Sequence, residues 1–166
     1  MTPDALTFDG GYSADIRHVA AKIISTENIE GVTISGGEPF EQAGALYRLI
    51  KNVKKIRDFG TIVYTGYEIG ELREKKNKDI ARFLEIIDTL IDGPYVRESD
   101  DGLSLRGSAN QRAIHLTGRY SEVWDRHYAR TGRKVELHML ENEIFLVGIP
   151  GREMLEKWRQ LGAEEA

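Results

Sequence analysis

Hydrophobic residues between positions 13 and 92 recur alternately at helical and at strand spacing. The helical positions follow the candidate N-cap Ser13, are interrupted near residues 75–79, and fall into segments at 16–24, 40–57 and 68–84. Short apolar runs between them predict strands at residues 32–34, 61–64 and 86–91. Because strands that alternate with helices across short connections pair in parallel, the pattern predicts an α/β fold of mainly parallel strands.

The pattern changes after Pro94. Residues 95–112 are polar, whereas residues 134–140 and 143–149 alternate in polarity and predict an antiparallel β-hairpin. Residues 151–161 predict a closing amphipathic helix whose inward positions are Met154, Leu155, Trp158 and Leu161. We expect residues 1–120 to form the α/β domain and residues 121–166 to be a hairpin-helix appendage on the same domain.

Composition narrows the class of protein. The 166 residues suffice for one domain, and the net charge of −4 argues against broad binding to nucleic acid or anionic membrane. No apolar stretch approaches the roughly 20 residues that span a bilayer, so we expect a cytoplasmic protein with no membrane partner.

The histidines follow no recognised metal-ligand spacing, and His115 lies in a short apolar run where a packed or surface histidine is favoured over a ligand. The sequence contains no cysteine, which excludes a disulfide, a thiolate nucleophile and a Cys-held cluster in this chain.

Glycine and polar residues follow each predicted parallel strand, at residues 35–39, 65–67 and 92–94. The carboxyl ends of parallel strands lie at one edge of a sheet, where α/β proteins bind ligands. Glycine there allows the main chain to approach a ligand closely, although turns after strands use glycine for purely structural reasons as well. Three aligned strand ends favour a ligand site at this edge.

The first strand end is the most specific. Gly36-Gly37-Glu38-Pro39, between a strand and a helix, resembles the segment of radical S-adenosylmethionine (SAM) enzymes that holds the methionine amino group of SAM. Three further segments resemble, in the same order, those of the anaerobic ribonucleotide reductase activating proteins, which belong to the glycyl-radical activating group: Val63-Tyr64-Thr65-Gly66-Tyr67, Ile91-Asp92-Gly93-Pro94-Tyr95-Val96 and Leu105-Arg106-Gly107-Ser108-Ala109-Asn110-Gln111-Arg112. The similarity spans about residues 2–120.

The resemblance implies a fold, a reaction and partners. The fold is a partial (β/α) barrel, and three cysteines hold a 4Fe-4S cluster whose fourth iron is chelated by SAM. One electron cleaves SAM to methionine and a 5′-deoxyadenosyl radical, which abstracts a hydrogen atom from a glycine of a partner glycyl-radical enzyme. A flavodoxin-type protein donates the electron. The resemblance does not select the substrate, so another radical SAM enzyme, such as a peptide-modifying one, stays an alternative.

Carried over position by position, the resemblance also implies site residues. Gly36, Gly37, Glu38 and Pro39 contact or shape the methionine site. Thr65 and Gly66 meet the ribose or methionine part of SAM, and Asp92 is a polar contact from the third strand end. Asn110, Gln111 and Arg112 lie near the mouth of the site, where Arg112 can pair with a carboxylate.

The cluster motif of the family, C-x3-C-x2-C, is missing. Thr2-Pro3-Asp4-Ala5 and Phe8-Asp9-Gly10-Gly11 resemble the landmarks downstream of that motif, so its third cysteine would fall immediately before Met1. We expect the first strand and the cluster loop to be absent, residues 32–35 to form an exposed apolar edge, and the chain alone to be inactive in SAM cleavage. Either an upstream piece is lost, or the protein is a cluster-free module that binds SAM, a nucleoside or a protein.

Overall fold

The computed structural model describes residues 11–128, 131–140 and 143–148, together with Met154, Glu156, Lys157 and Gln160. Helices α1 to α5 span Ile16–Ser25, Ala43–Lys54, Ile69–Glu74, Lys78–Leu84 and Ser121–Val123. Strands β1 to β6 span Gly31–Ile34, Gly60–Tyr64, Thr89–Asp92, Arg112–His115, Val135–Leu140 and Glu143–Gly148. Single 3-10 turns lie at Pro39–Gln42 and Arg97–Ser99, and α5 continues as a π-helical turn over Trp124–Tyr128.

The first four strands form one sheet in the order β1-β2-β3-β4. β1, β2 and β3 pair in parallel, with Gly31 opposite Gly60 and Ile62 opposite Thr89, and β4 pairs antiparallel with β3. The predicted α/β class with a mainly parallel sheet is therefore confirmed. Within the described residues this sheet is open and does not close into a barrel, so the partial barrel that the resemblance implies is not confirmed.

β1 lies at an edge of the described sheet, with β2 on its inner side. The expected exposure of residues 32–35 holds for Thr33 and Ser35, which are exposed. Val32 and Ile34 are only half-buried, and they pack against the core between the sheet and the helices. The edge is therefore less apolar than the sequence alone predicts, because the apolar side chains of β1 point toward the helices.

The hydrophobic core lies between one face of the sheet and helices α2, α3 and α4. Val63 and Leu90 project from the sheet into it and are fully buried with Ile50 and Phe83. A second cluster joins α1 to α2 through Ala20, Val53 and Phe59. None of the described helices is long and apolar enough to cross a bilayer.

Two helix boundaries show how local hydrogen bonds set the ends of the elements. The N-cap of α1 is Asp15 instead of the predicted Ser13, because the Asp15 carboxylate accepts the Arg17 N–H at 2.7 Å and also pairs with the Arg17 guanidinium. The predicted interruption near residues 75–79 is confirmed. There Lys76 adopts a φ of 47°, and the Asn77 side chain caps α4 by accepting the Asp79 N–H.

The opposite face of the sheet is covered by the loop at residues 103–106 and by the helical segment at residues 121–128. The Tyr64 hydroxyl donates to the Leu105 carbonyl. Arg133 donates to the carbonyls of Leu103, Arg106 and Gly107 and pairs with Asp100 at 2.7 Å. These contacts between distant parts of the chain fix a polar segment for which the sequence pattern predicts no regular structure.

The C-terminal hairpin is confirmed: β5 and β6 pair antiparallel, with Leu137 opposite Leu146. Most of the predicted closing helix at residues 151–161, including Leu155, Trp158 and Leu161, lies outside the described residues. Met154 is described and is 43% exposed, so the prediction that it faces inward is wrong, because no described element covers it.

A buried carboxylate ties together the amino-terminal ends of β2 and β3. Asp88, directly before β3, accepts the Thr61 N–H at 2.9 Å and the Thr117 hydroxyl at 2.7 Å. It also pairs with Lys54 of α2 at 2.9 Å, and its side chain is only 5% exposed. This end of the sheet is therefore held by charge-assisted hydrogen bonds and lies opposite the predicted ligand edge.

Replacing Asp88 tests this structural role. Asp88→Asn should lower the free energy of unfolding by about 3 kcal/mol, because the mostly buried Lys54 ammonium keeps its hydrogen bond to the Ile86 carbonyl but loses its counter-charge. Asp58→Asn is the matched control: the Asp58 carboxylate pairs with Arg119 but is 85% exposed, so its loss should change the free energy of unfolding much less. Urea denaturation of both variants measures the difference, and equal losses would contradict the assignment.

Candidate functional site

The turn after β1 presents two glycines in the left-handed backbone region. Gly36 has a φ of 87° and Gly37 a φ of 54°, conformations that are costly for residues with a side chain. A Cβ added at Gly36 would meet no atom within 4 Å, so this part of the main chain faces open space. Glycine is therefore required here by the turn, and its main chain is left accessible.

The carboxylate of Glu38 joins this turn to the end of β2. Its Oε1 accepts the Phe40 N–H at 3.0 Å and the Thr65 hydroxyl at 2.8 Å, while its Oε2 accepts the Gly66 N–H at 2.9 Å. Buried Pro39 and Phe40 start the 3-10 turn that follows. Both carboxylate oxygens of Glu38 thus bind neighbouring parts of the chain, and they hold two strand ends in one arrangement.

Asp92 plays the corresponding part at the end of β3. Arg112 binds it with two hydrogen bonds, Nε to Oδ1 at 3.0 Å and Nη2 to Oδ2 at 2.6 Å. The Ile69 N–H at the start of α3 donates to Oδ2 at 2.9 Å, and Arg112 also lies 3.5 Å from Glu68. The Asp92 side chain is 1% exposed, whereas that of Arg112 is 54% exposed.

The environment of Asp92 sets its protonation. Burial alone raises the pKa of Asp92, but the hydrogen bonds from Arg112 and Ile69 and the charge of Arg112 together outweigh it. The pKa of this carboxyl is therefore lowered from its ordinary value. Asp92 is ionised at neutral pH and serves to fix α3 and β4 against β3.

Asn110 and Gln111 bind the turn after β3. The Asn110 amide donates to the Pro94 carbonyl at 2.7 Å, and the Gln111 amide donates to the Gly93 carbonyl at 2.9 Å. Gln111 is buried and also accepts the Gly107 N–H through its Oε1 at 2.7 Å. The two side chains thus connect the third strand end to the segment that leads into β4.

The structure therefore brings the sequence-predicted residues to one edge of the sheet in three bonded groups. One contains Glu38, Thr65 and Gly66, the second contains Asp92 and Arg112, and the third attaches Asn110 and Gln111 to the turn after β3. The Gly93 N–H donates to the Tyr67 carbonyl at 3.0 Å and links the second turn to the third. Gly36 and the outer part of the Arg112 side chain stay exposed at this edge.

The sequence analysis did not identify a second group of side chains near this edge. The Tyr67 hydroxyl donates to Glu41 at 2.8 Å, and the Lys75 ammonium lies 3.7 Å from the centre of the Tyr67 ring and 3.6 Å from Glu41. Tyr67 directly follows Thr65-Gly66 in the chain, and this position is the feature of the sequence that could have indicated the group. Lys75 comes from the end of α3, so its part depends on how α3 packs.

A comparison with known protein families identifies a match over most of the chain. A family model described as a 4Fe-4S single cluster domain matches residues 3–114, a range that contains every predicted site residue. Neither the curated proteins nor the solved structures include a match to this chain.

The residues present do not fit the cluster that the family description names. Cluster irons are held chiefly by cysteine thiolates, and the sequence contains no cysteine. In the part of the chain that the structure describes, no group of three or more His, Cys, Asp or Glu side chains is placed to hold a metal ion. A cluster at this edge would need ligands that this sequence does not supply.

The lowered pKa of Asp92 predicts how stability responds to acid. Ionised Asp92 contributes stability above its unfolded-state pKa of about 3.9, and this contribution is lost as the pH falls through the lower folded-state value. The free energy of unfolding, measured by urea denaturation, should therefore fall more between about pH 5 and about pH 2 in the wild type than in Asp92→Asn.

Arg112→Met provides the second arm of this experiment. Without the guanidinium, only backbone hydrogen bonds such as that from Ile69 oppose the effect of burial, so the pKa of Asp92 should rise and the part of the slope that depends on Asp92 should shrink. Identical slopes in the wild type, Asp92→Asn and Arg112→Met would contradict the assignment.

Proposed function

We propose, from the premise that this chain belongs to the family of 4Fe-4S single cluster domains, that it forms the SAM-binding part of a radical SAM activating enzyme of the glycyl-radical group. The four ordered segments that resemble those enzymes support the finer assignment. The single observation that carries it is the Gly36-Gly37 turn, whose accessible main chain lies at the carboxyl end of a parallel strand.

The turn suits the methionine end of SAM for a physical reason. An ammonium group is bound by carbonyl oxygens, and a turn without side chains lets it approach them closely. Arg112, whose inner donors are held by Asp92, keeps outward donors that can pair with a carboxylate. Pro39 shapes the turn by starting the segment that follows it.

Glu38, Thr65, Gly66 and Asp92 are positioning residues in this proposal. Their polar atoms bind one another or the neighbouring main chain, so they set where the Gly36-Gly37 turn and Arg112 lie. Asn110 and Gln111 do the same for the segment that carries Arg112. These residues therefore act on SAM indirectly, because they fix the geometry of the sheet edge.

Bound SAM supplies a sulfonium group that is cleaved when it receives an electron. Because the donor set of this chain does not fit a cluster, we assign to the chain the binding and orientation of SAM and no redox step. The same observation favours the cluster-free binding module as the description of the chain by itself. The glycyl-radical enzyme and the flavodoxin-type donor belong to the complete enzyme and are proposed only with it.

Calorimetric titration with SAM tests the proposal. Gly36→Val places a branched side chain in the open space beside the turn and should weaken SAM binding by at least about tenfold, or about 1.4 kcal/mol. Gly102→Val is the matched control. Gly102 also has a positive φ, 68°, and open space around its Cβ, but it lies in the loop before Leu103 and is not part of the proposed SAM site.

The two variants carry similar backbone strain, so a general loss of stability affects both. Retention of wild-type affinity in Gly102→Val together with weak binding in Gly36→Val supports the site. Absence of a binding heat with the wild type, or equal affinities in all three proteins, would contradict it.

A further inference from the structure

The groove between α3 and α4 is a surface that the proposed function does not use. It has a volume of about 280 Å³ and lies on the helix side of the sheet. Three cations, Arg73, Lys76 and Lys78, belong to its lining, and every residue of that lining falls between positions 72 and 84. The lining contains no carboxylate. The groove therefore carries a positive charge that its own residues do not neutralise.

This positive charge stands against the charge of the whole chain. The protein has a net charge of −4, whereas residues 73–78 hold four cations and one carboxylate. Lys75 is the cation of this segment that is already engaged, by Glu41 at 3.6 Å and by the face of the Tyr67 ring. The groove is thus a local basic surface on an acidic protein.

The three cations of the groove are open to a partner. Arg73, Lys76 and Lys78 are exposed, and none of them forms an ion pair with a residue that the structure describes. The nearby Asp79 pairs with Arg82 at 3.9 Å. Its carboxylate is also turned toward α2, where a Cβ added at Gly44 would come within 2.7 Å of Oδ2. Incoming carboxylates can therefore reach the cations without displacing an existing partner.

The rest of the groove is mainly apolar. Leu72 and Ile80 form a buried base, whereas Ala81 is exposed and Leu84 is half-buried. Lys78, Ala81 and Leu84 follow one another at intervals of three along α4, so they share one side of the helix. An apolar side chain of a partner can therefore contact Ala81 and Leu84 while a neighbouring carboxylate meets Lys78.

The same features disfavour a nucleic acid or an anionic membrane. The net charge of −4 opposes the approach of an extended polyanion. The groove lining also holds no aromatic ring on which a base could stack. A segment of protein that combines a few carboxylates with one apolar side chain matches both the charge and the apolar positions.

We propose that the α3–α4 groove docks an acidic segment of a partner protein. The carboxylates of the segment pair with Arg73, Lys76 and Lys78, and one apolar side chain packs against Ala81 and Leu84. Exposed charge pairs of this kind set the rate and the specificity of association and weaken as salt rises.

Fluorescence anisotropy of a labelled peptide tests the proposal on the full chain. The probe is a synthetic peptide in which glutamates flank a single leucine on both sides. It should bind saturably and more weakly as the salt concentration rises. A peptide with glutamine in place of each glutamate should bind at least about tenfold more weakly. Absence of saturable binding, or equal affinity for the glutamine peptide, would overturn the proposal.

Two doubly substituted variants separate the groove from the net charge of the chain. Arg73→Glu with Lys78→Glu should lower the affinity for the glutamate peptide at least about tenfold. Lys22→Glu with Lys55→Glu is the matched control, because it changes the net charge equally at exposed positions outside the groove. Its affinity should stay near that of the wild type. Equal losses in the two variants would overturn the proposal, and urea denaturation checks that both are folded.

Two further titrations complete the test. A single-stranded oligouridylate should bind at least about tenfold more weakly than the glutamate peptide, and equal or tighter binding of the RNA would overturn the assignment to a protein partner. SAM binding should be the same in the wild type and in both variants, because the groove lies apart from the Gly36-Gly37 turn. Failure of peptide binding with SAM binding intact counts against this inference alone.

Discussion

The hydrogen bonds of the Glu38 carboxylate are the constraint on which the ligand edge depends. Parallel strands are fixed to one another along their length, but beyond their last paired residues the turns need other restraints. Glu38 supplies them by accepting from Phe40, Thr65 and Gly66, and so ties the turn after β1 to the end of β2. Asp92 repeats the arrangement at the third strand end, with Arg112 and the start of α3 as its partners. Two carboxylates thus build the edge, while the glycine turn is left to meet a ligand.

The sequence predicts those parts of the fold that are decided locally. The β-branched run before Ser35 and the helical spacing of the following segments predict β1, β2 and their helices, and the polarity pattern predicts the β5–β6 hairpin. β4 is not predicted, because its antiparallel pairing with β3 depends on the path of the long polar loop between them, which the sequence pattern does not reveal. The cap of α1 is misplaced by two residues for a similar reason. Ser13 and Asp15 are both competent caps, and the ion pair with Arg17 decides between them.

The site shows the same division. The spacing of glycine and polar residues predicts that Glu38, Thr65 and Asp92 lie at one edge of the sheet, and the resemblance adds Arg112, which binds Asp92 there. It does not show that their polar atoms bind one another, because that depends on side-chain geometry. It also gives no sign of Lys75 over the Tyr67 ring, which depends on how α3 packs. The matched family is described by a 4Fe-4S cluster, whereas this chain has no cysteine thiolates that could hold one.

A crystal structure of the chain grown with SAM tests the proposed binding mode. The methionine end of the ligand should lie against the main chain of Gly36 and Gly37, while the Glu38 carboxylate still accepts from Thr65 and Gly66. A ligand bound elsewhere on the molecule, or a Glu38 side chain that has left Thr65 and Gly66 to contact the ligand itself, would contradict it.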